Sequence, residues 1–209
     1  RHDPPAADVR GANVLVVDDC ANSRLLLTRL LDTWGCRWAE ADGPVAALAA
    51  LKSAAAAGQP YHAALIDMQM PREDGLALGA RIKADPEIAR TALIMMTSLG
   101  ERGDAQRAAA SGFSGYLTKP VRRQHVHDCL ALALGRQAAG APVEGGVITR
   151  HTVAETRHSQ VRILVAEDNM VNQKVTMAIL RKLGYRADAV SNGVEAVAAV
   201  ERDAYDLVL

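Results

Sequence analysis

The sequence predicts an α/β protein: a doubly wound, five-stranded parallel sheet followed by the first part of a second copy of the same unit. Three observations carry this. Short aliphatic runs alternate with helical patterns over the first 135 residues. The runs that open the two units are continuously aliphatic, as strands buried on both faces are. One acidic strand end also occurs twice, as Asn13-Val14-Leu15-Val16-Val17-Asp18-Asp19 and as Arg162-Ile163-Leu164-Val165-Ala166-Glu167-Asp168.

Taken in order, a Pro/Ala-rich start over residues 1–11 reads as loose linker. Strands are expected at Asn13–Val17, Arg37–Ala41, Ala63–Ile66, Ala92–Met96 and Gly115–Leu117. Helical patterns lie at Ser23–Trp34, Val45–Ala57, Leu76–Ala84, Glu101–Ser111 and Arg122–Leu134. In the first of these, Leu26, Leu27, Leu30 and Leu31 have the spacing of a helix face packed on a sheet. Gly35 and Gly112 stand where helices end on a left-handed residue. Strand–helix alternation of this kind makes parallel sheets covered on both sides by right-handed crossovers. For five units the flavodoxin-like order 2-1-3-4-5 is the natural choice. The first unit spans residues 12–135. Residues 136–160, with Ala138-Ala139-Gly140-Ala141-Pro142 and Gly145-Gly146, read as a linker containing a short helix at Thr149–Arg157. The second unit, 161–209, repeats the pattern: strand Arg162–Val165, helix Asn172–Leu183, strand Ala187–Val190, helix Val194–Arg202 and an apolar run Asp206–Leu209. Aligning Tyr61 with Tyr205 puts the equivalent of Asp67 about two residues past Leu209. Beginning at Arg1 and stopping inside an apolar run, the chain is expected to be a piece of a longer protein.

Bulk properties exclude several functions. Lys plus Arg and Asp plus Glu are 24 each, and no basic stripe carries interleaved aromatics, so nucleic acid is not an expected partner. Hydrophobic residues are 49% and aromatics 3%, which predicts an aliphatic, alanine-rich core. Cys20, Cys36 and Cys129 form no metal-ligand spacing and fit reduced thiols of a cytoplasmic protein. No apolar run has the roughly 18 residues of a membrane helix, so no membrane contact is expected. Neither a glycine-rich nucleotide box nor a histidine-bearing dimerisation helix is evident, and His151 and His158 lack the surroundings of a phosphohistidine.

The chemistry is expected where parallel strands end, because all their C-termini share one edge. Strand one brings Asp18 and Asp19, strand three Asp67, strand four Thr97 and Ser98, and strand five Lys119-Pro120. Three carboxylates together need a cation, and an all-oxygen set favours Mg²⁺, with Mn²⁺ able to substitute. Lysine and hydroxyl beside them suit a carboxylate that accepts a phosphoryl group. Asp67, alone on a central strand, is the best nucleophile. Read singly, these residues have blander roles: Asp18-Asp19 as a helix cap, Asp74-Gly75 as a turn, Thr97-Ser98 as a cap, Lys119 as a solvated charge.

Together, Val17-Asp18-Asp19, Ile66-Asp67-Met68-Gln69-Met70-Pro71, Asp74-Gly75, Met96-Thr97-Ser98 and Tyr116-Leu117-Thr118-Lys119-Pro120 resemble the receiver domain of two-component signalling. Glu167-Asp168-Asn169, Asn172-Gln173 and Asn192-Gly193 resemble the opening of a second receiver. The linker words Ile148-Thr149-Arg150-His151 and Ala154-Glu155-Thr156-Arg157 are similar to the spacer before a late receiver in bacterial hybrid histidine kinases. The resemblance implies Asp67 as phosphoacceptor and Asp18, Asp19, Asp67 and the Gln69 backbone carbonyl as magnesium ligands. It implies Lys119 as phosphoryl contact, held by a cis Pro120, Thr97 as switch hydroxyl and Tyr116 as switch aromatic. Glu167 and Asp168 match the metal pair in the second copy. The donor would be the phosphohistidine of a kinase or phosphotransfer domain, with other domains of the same hybrid kinase as partners. Gln69 and Leu99 occupy positions that tune phosphoryl lifetime, and Leu99, unable to orient water, implies slow self-dephosphorylation. Two alternatives stand beside this. A haloacid-dehalogenase-like phosphatase uses similar groups in the opposite chain order. A phosphorylation-independent interaction module would need no complete site.

Overall fold

The computed structural model describes residues 7–71, 73–98, 104–139, 147–149 and 161–209. The chain divides into two compact units, Arg1–Arg150 and His151–Leu209.

In the first, β1 (Asn13–Val17), β2 (Arg37–Ala41), β3 (Ala63–Asp67), β4 (Ala92–Thr97) and β5 (Gly115–Thr118) alternate with α1 (Ala21–Thr33), α2 (Pro44–Ala56), α3 (Gly75–Ala84), α4 (Asp104–Ala110) and α5 (Arg123–Ala138). The strands pair in parallel in the order β2-β1-β3-β4-β5, the flavodoxin-like topology. The central strands have helices on both faces, so Val14 to Val17 and Ala63 to Ile66 are fully buried, as their unbroken apolar runs require. The core joins Leu15, Val17, Ile66, Leu78, Ile82, Leu93 and Met95 around Phe113. Phe113 fits because Gly79 faces it: a Cβ there would stand 2.3 Å from the ring.

Element limits follow the periodicity closely, and three differences are instructive. On α1 the buried stripe is Leu27, Thr28 and Leu31, while Leu26 is exposed and Leu30 half-buried. Spacing gave the helix but misplaced its inner face by one residue. The start of the chain is not loose where it is described: the Ala7 amide donates to the Ala131 carbonyl (3.0 Å), and Val9 is buried. Third, α5 runs to Ala138, past the expected linker start at 136, and is buried on most sides from Cys129 to Arg136. Within that linker Val147 and Ile148 are buried too, and Ile148 bridges in parallel to Gly115. The remaining short-helix residues, 150–157, and the start of the fourth helical pattern, Glu101 to Gly103, lie outside the described residues.

The second unit contains β6 (Arg162–Ala166), α6 (Met170–Lys182), β7 (Arg186–Val190), α7 (Gly193–Arg202) and β8 (Leu207–Val208). Its three strands are parallel in the order β7-β6-β8. Arg162 pairs with Arg186, the same 24-residue offset by which Asn13 pairs with Arg37. Both helices have side-chain caps: Asn169 accepts from the amides of Val171 and Asn172, and Asn192 from that of Glu195. The Glu195 carboxylate accepts in return from the Ser191 amide, a reciprocal cap (2.9 Å).

Candidate functional site

The C-terminal rim of the five-stranded sheet is built by strand ends that must stop together. Asp67 pairs with Met96, and Thr97 with Thr118, so acid, hydroxyl and the turn carrying Lys119 fall at one level. The turn is tied back by the Lys119 amide, which donates to the Thr97 carbonyl (2.7 Å), and its Lys119-Pro120 peptide is cis. On the other side of β3 the Asp18 carboxylate accepts from the Cys20 amide (2.9 Å), which fixes it inward at the start of α1.

Lys119, 101 residues from Asp18 along the chain, joins the rim. Its Nζ lies 2.8 Å from Asp18 Oδ2 and 3.0 Å from Asp67 Oδ1. Asp18 and Asp67 are buried and Asp19 exposed, and one oxygen from each lies within 4.8 Å of the others. Burial, above all, and the nearby Asp18 charge push the Asp67 carboxyl above the ordinary carboxylate range, although Lys119 and the Gln69 amide oppose this. Burial also works against the charge on Lys119, but the hydrogen bonds and charges of Asp18 and Asp67 together outweigh it, and the ammonium is held more firmly than in ordinary lysine.

These atoms fit a hard divalent cation. The donors are all oxygen, and one oxygen each of Asp18, Asp19 and Asp67 lies within 4.8 Å of the others. Buried Asp67 Oδ1 has the Lys119 ammonium at 3.0 Å as a close cation, and a carboxylate oxygen so placed keeps lone-pair capacity that a metal can take up. The rim opens into a cleft of about 560 Å³ lined by Asp19, Gln69, Pro71, Thr97, Asp104 and Arg107, among others. Thr97 is buried at its floor. Tyr116 is half-buried on β5 with its hydroxyl 3.5 Å from Asp104 Oδ2, so it stands on the α4 side of the rim. Leu99 lies outside the described residues.

Arg24 and Asp104 escaped the sequence reading, and Asp74 and Gly75 contribute more than the turn read there. The Arg24 guanidinium donates to the backbone carbonyls of Asp18 (2.8 Å) and Asp19 (3.3 Å) and pairs with Glu40 at 3.4 Å, clamping the acidic turn from below. Asp104, paired with Arg107, closes the cleft opposite Thr97. Asp74 caps α3 by accepting from the Ala77 amide (2.8 Å), and Gly75 is more than a turn residue. A Cβ on Gly75 would stand 2.4 Å from the Asp67 carbonyl oxygen, so the loop after β3 can close on the acid only without a side chain there. The Asp74-Gly75 pair could have signalled this; nothing in the sequence singled out Arg24 or Asp104.

In the second unit, Glu167 and Asp168 follow β6 as Asp18 and Asp19 follow β1. The Glu167 carboxylate accepts from the Asn169 amide (3.1 Å) and from Asn172 Nδ2 (3.2 Å), the counterpart of the Asp18–Cys20 turn.

The first unit is thus an α/β sheet whose carboxyl edge carries an acidic, lysine-bridged pocket. Over residues 14–131 the chain matches the response regulator receiver domain, and it belongs to that family, the receivers of two-component signalling. It is 33% identical over 122 residues to a probable chemotaxis protein CheY of Rhizobium etli, covering 58% of this chain and 92% of that protein. It is 50% identical over 48 residues to hybrid signal transduction histidine kinase B of Dictyostelium discoideum, which is 23% of this chain but 2% of the kinase. Among solved structures, a receiver domain from Clostridium thermocellum superimposes with a TM-score of 0.55 at 25% identity, over 61% of this chain and 98% of that one.

Proposed function

We propose that Asp67 is the phosphoacceptor of this receiver and takes its phosphoryl group from a phosphohistidine. The carrying observation is the Lys119 ammonium held between Asp18 and Asp67 at the rim. In the transfer an Asp67 carboxylate oxygen forms the new P–O bond while the P–N bond breaks, its electron pair returning to the imidazole nitrogen. Asp18, Asp19, Asp67 and the Gln69 backbone carbonyl hold Mg²⁺, which when bound supplies charge neutralisation for the phosphoryl oxygens. Lys119 adds a positive charge from the β5 side, and buried Thr97 donates its hydroxyl to a phosphoryl oxygen. Drawing Thr97 inward frees space that Tyr116 follows, and this population shift remodels the α4–β5 surface.

The second unit fits the opening of a second receiver, residues 161–209, with Glu167 and Asp168 as its metal pair. The equal strand offset and the repeated acidic turn favour this reading. The parent is then a hybrid histidine kinase with this part of it in the cytoplasm, whether or not a region outside this chain anchors it to a membrane, and its other domains are the partners. Among the described residues no helix is long and apolar enough to cross a membrane. Incubation with acetyl phosphate and Mg²⁺ should give an acid-labile, hydroxylamine-sensitive phosphate on the chain. Its retention in Asp67→Asn would refute the assignment.

A further inference from the structure

The segment expected as linker contributes a sixth strand position. The Tyr116 amide donates to the Ile148 carbonyl (2.9 Å), and the Ile148 amide donates to the Ser114 carbonyl (2.8 Å), so Ile148 straddles Gly115 on the outer edge of β5. Ile148 is fully buried, and its carbonyl also lies 4.0 Å from Cys129 Sγ on α5. An edge strand otherwise presents unpaired backbone groups, and here the chain's own connector covers them. This connector leads out of the receiver towards the second unit.

We propose that Val147-Ile148-Thr149 is a strand latch on the switch strand, and that phosphorylation of Asp67 loosens it. The inference rests on Asp67 being the phosphoacceptor. The latch is closed in a resting rim, where Lys119 bridges Asp18 and Asp67 and the Tyr116 hydroxyl stands toward Asp104. A phosphoryl group acts on Thr97 and Lys119, which are joined through the Lys119 amide; Thr97 pairs with Thr118, two residues beyond Tyr116 on β5, and Lys119 follows Thr118. The inner side of β5 has no slack. A Cβ at Gly115 would fall 2.6 Å from Cys129 Sγ and 3.1 Å from Ile94 Cγ1. Close-packed interiors pass a displacement on rather than absorb it. Of the layers around β5, the latch pairs through a single isolated bridge at Ile148, whereas β4 pairs with β5 at four positions, so the latch yields first.

Hydrogen exchange on the full chain tests this, read by mass in the peptide spanning Val147 to Thr149, with and without acetyl phosphate and Mg²⁺. In the resting chain the Ile148 amide should exchange at least roughly tenfold slower than an unstructured peptide. Phosphorylation should remove most of that protection, and Asp67→Asn should keep it under both conditions. By reciprocity, Ile148→Gly, which weakens the latch without touching the rim, should raise the phosphorylated fraction at subsaturating acetyl phosphate. Equal protection in chains whose mass shows one added phosphate overturns the latch and leaves the receiver reading standing. An Ile148 amide unprotected in the resting chain also overturns it. A chain that gains no phosphate mass overturns both readings.

Discussion

Replacing Asp67 by asparagine should stabilise the metal-free receiver, although it removes the proposed phosphoacceptor. At an effective dielectric constant near 20, Lys119 at 3.0 Å attracts the Asp67 carboxylate by about 5.5 kcal/mol. Asp18, within 4.8 Å, repels it by about 3.5 kcal/mol, and exposed Asp19 adds a smaller, screened share. Attraction exceeds repulsion by about 2 kcal/mol before the Asp19 share is taken off. Against it stands the cost of burying an ionised group that is only 5% exposed. Buried polar groups cost on the order of 1–3 kcal/mol, so once the net attraction is taken off the neutral isostere should gain up to about 1 kcal/mol at pH 7. The sign agrees with the raised Asp67 pKa. A carboxyl that binds its proton more tightly folded than unfolded costs stability progressively as pH rises from its unfolded value through its folded value. The advantage of the Asp67→Asn variant should therefore fade as pH falls toward the ordinary carboxylate value near 3.9. Trp34 and Trp38, the chain's two tryptophans, both lie in the first unit, so their fluorescence in a thermal or urea melt reports on that unit. With EDTA the variant should melt roughly 2–8 °C above the parent. Saturating Mg²⁺ should reverse the order, since about 100 times Kd adds ~2.7 kcal/mol to the chain that keeps its ligand. A variant less stable than the parent in EDTA at pH 7 would refute the strained-rim argument.

Arg24→Ala should unclamp the acidic turn and weaken Mg²⁺ binding roughly tenfold by calorimetry, the usual effect of losing a ligand-orienting partner, with Arg24→Lys recovering part of it. Unchanged affinity would make Arg24 a surface charge. Gly75→Ala must push the Asp67 backbone aside, costing on the order of 1–3 kcal/mol in a urea melt and lowering the phosphorylated fraction; a variant normal in both would show that the loop has room. Under native alkylation at pH 8, Cys20 should label while Cys36 and Cys129 do not. Burial pushes the Cys129 thiol up to about 12, and the thiolate is the reactive form. Because that folded value exceeds the unfolded one, its contribution to stability is full at neutral pH and is lost as pH climbs toward 12. Label on Cys129 before unfolding would contradict its burial.

How much was legible depended on what each residue acts through. Asp18, Asp67, Thr97 and Lys119 were placed correctly at one rim because parallel strands must end on one side, and a continuous apolar run stopping at a polar residue marks that end. The strand order was the natural choice for five repeats of one unit, and the structure has it. The unread parts all act through backbone or through helix rotation. Arg24 grips two carbonyls, which any sequence has; Asp104 reaches the cleft only because α4 turns its first residue inward; Leu26 escaped burial by one step around α1. Residues 136–160 were read from Gly, Ala and Pro content, which reports intrinsic stiffness and not an available strand edge. A short apolar triplet such as Val147-Ile148-Thr149 has no periodicity of its own, and its structure exists only because β5 leaves N–H and C=O groups unpaired beside Cys129. Composition therefore misses strand pairing by a segment that lies next to an open sheet edge. In a chain of repeated α/β units, an apolar triplet shortly after the last helix is better read against the edge it can reach than against its neighbours in sequence.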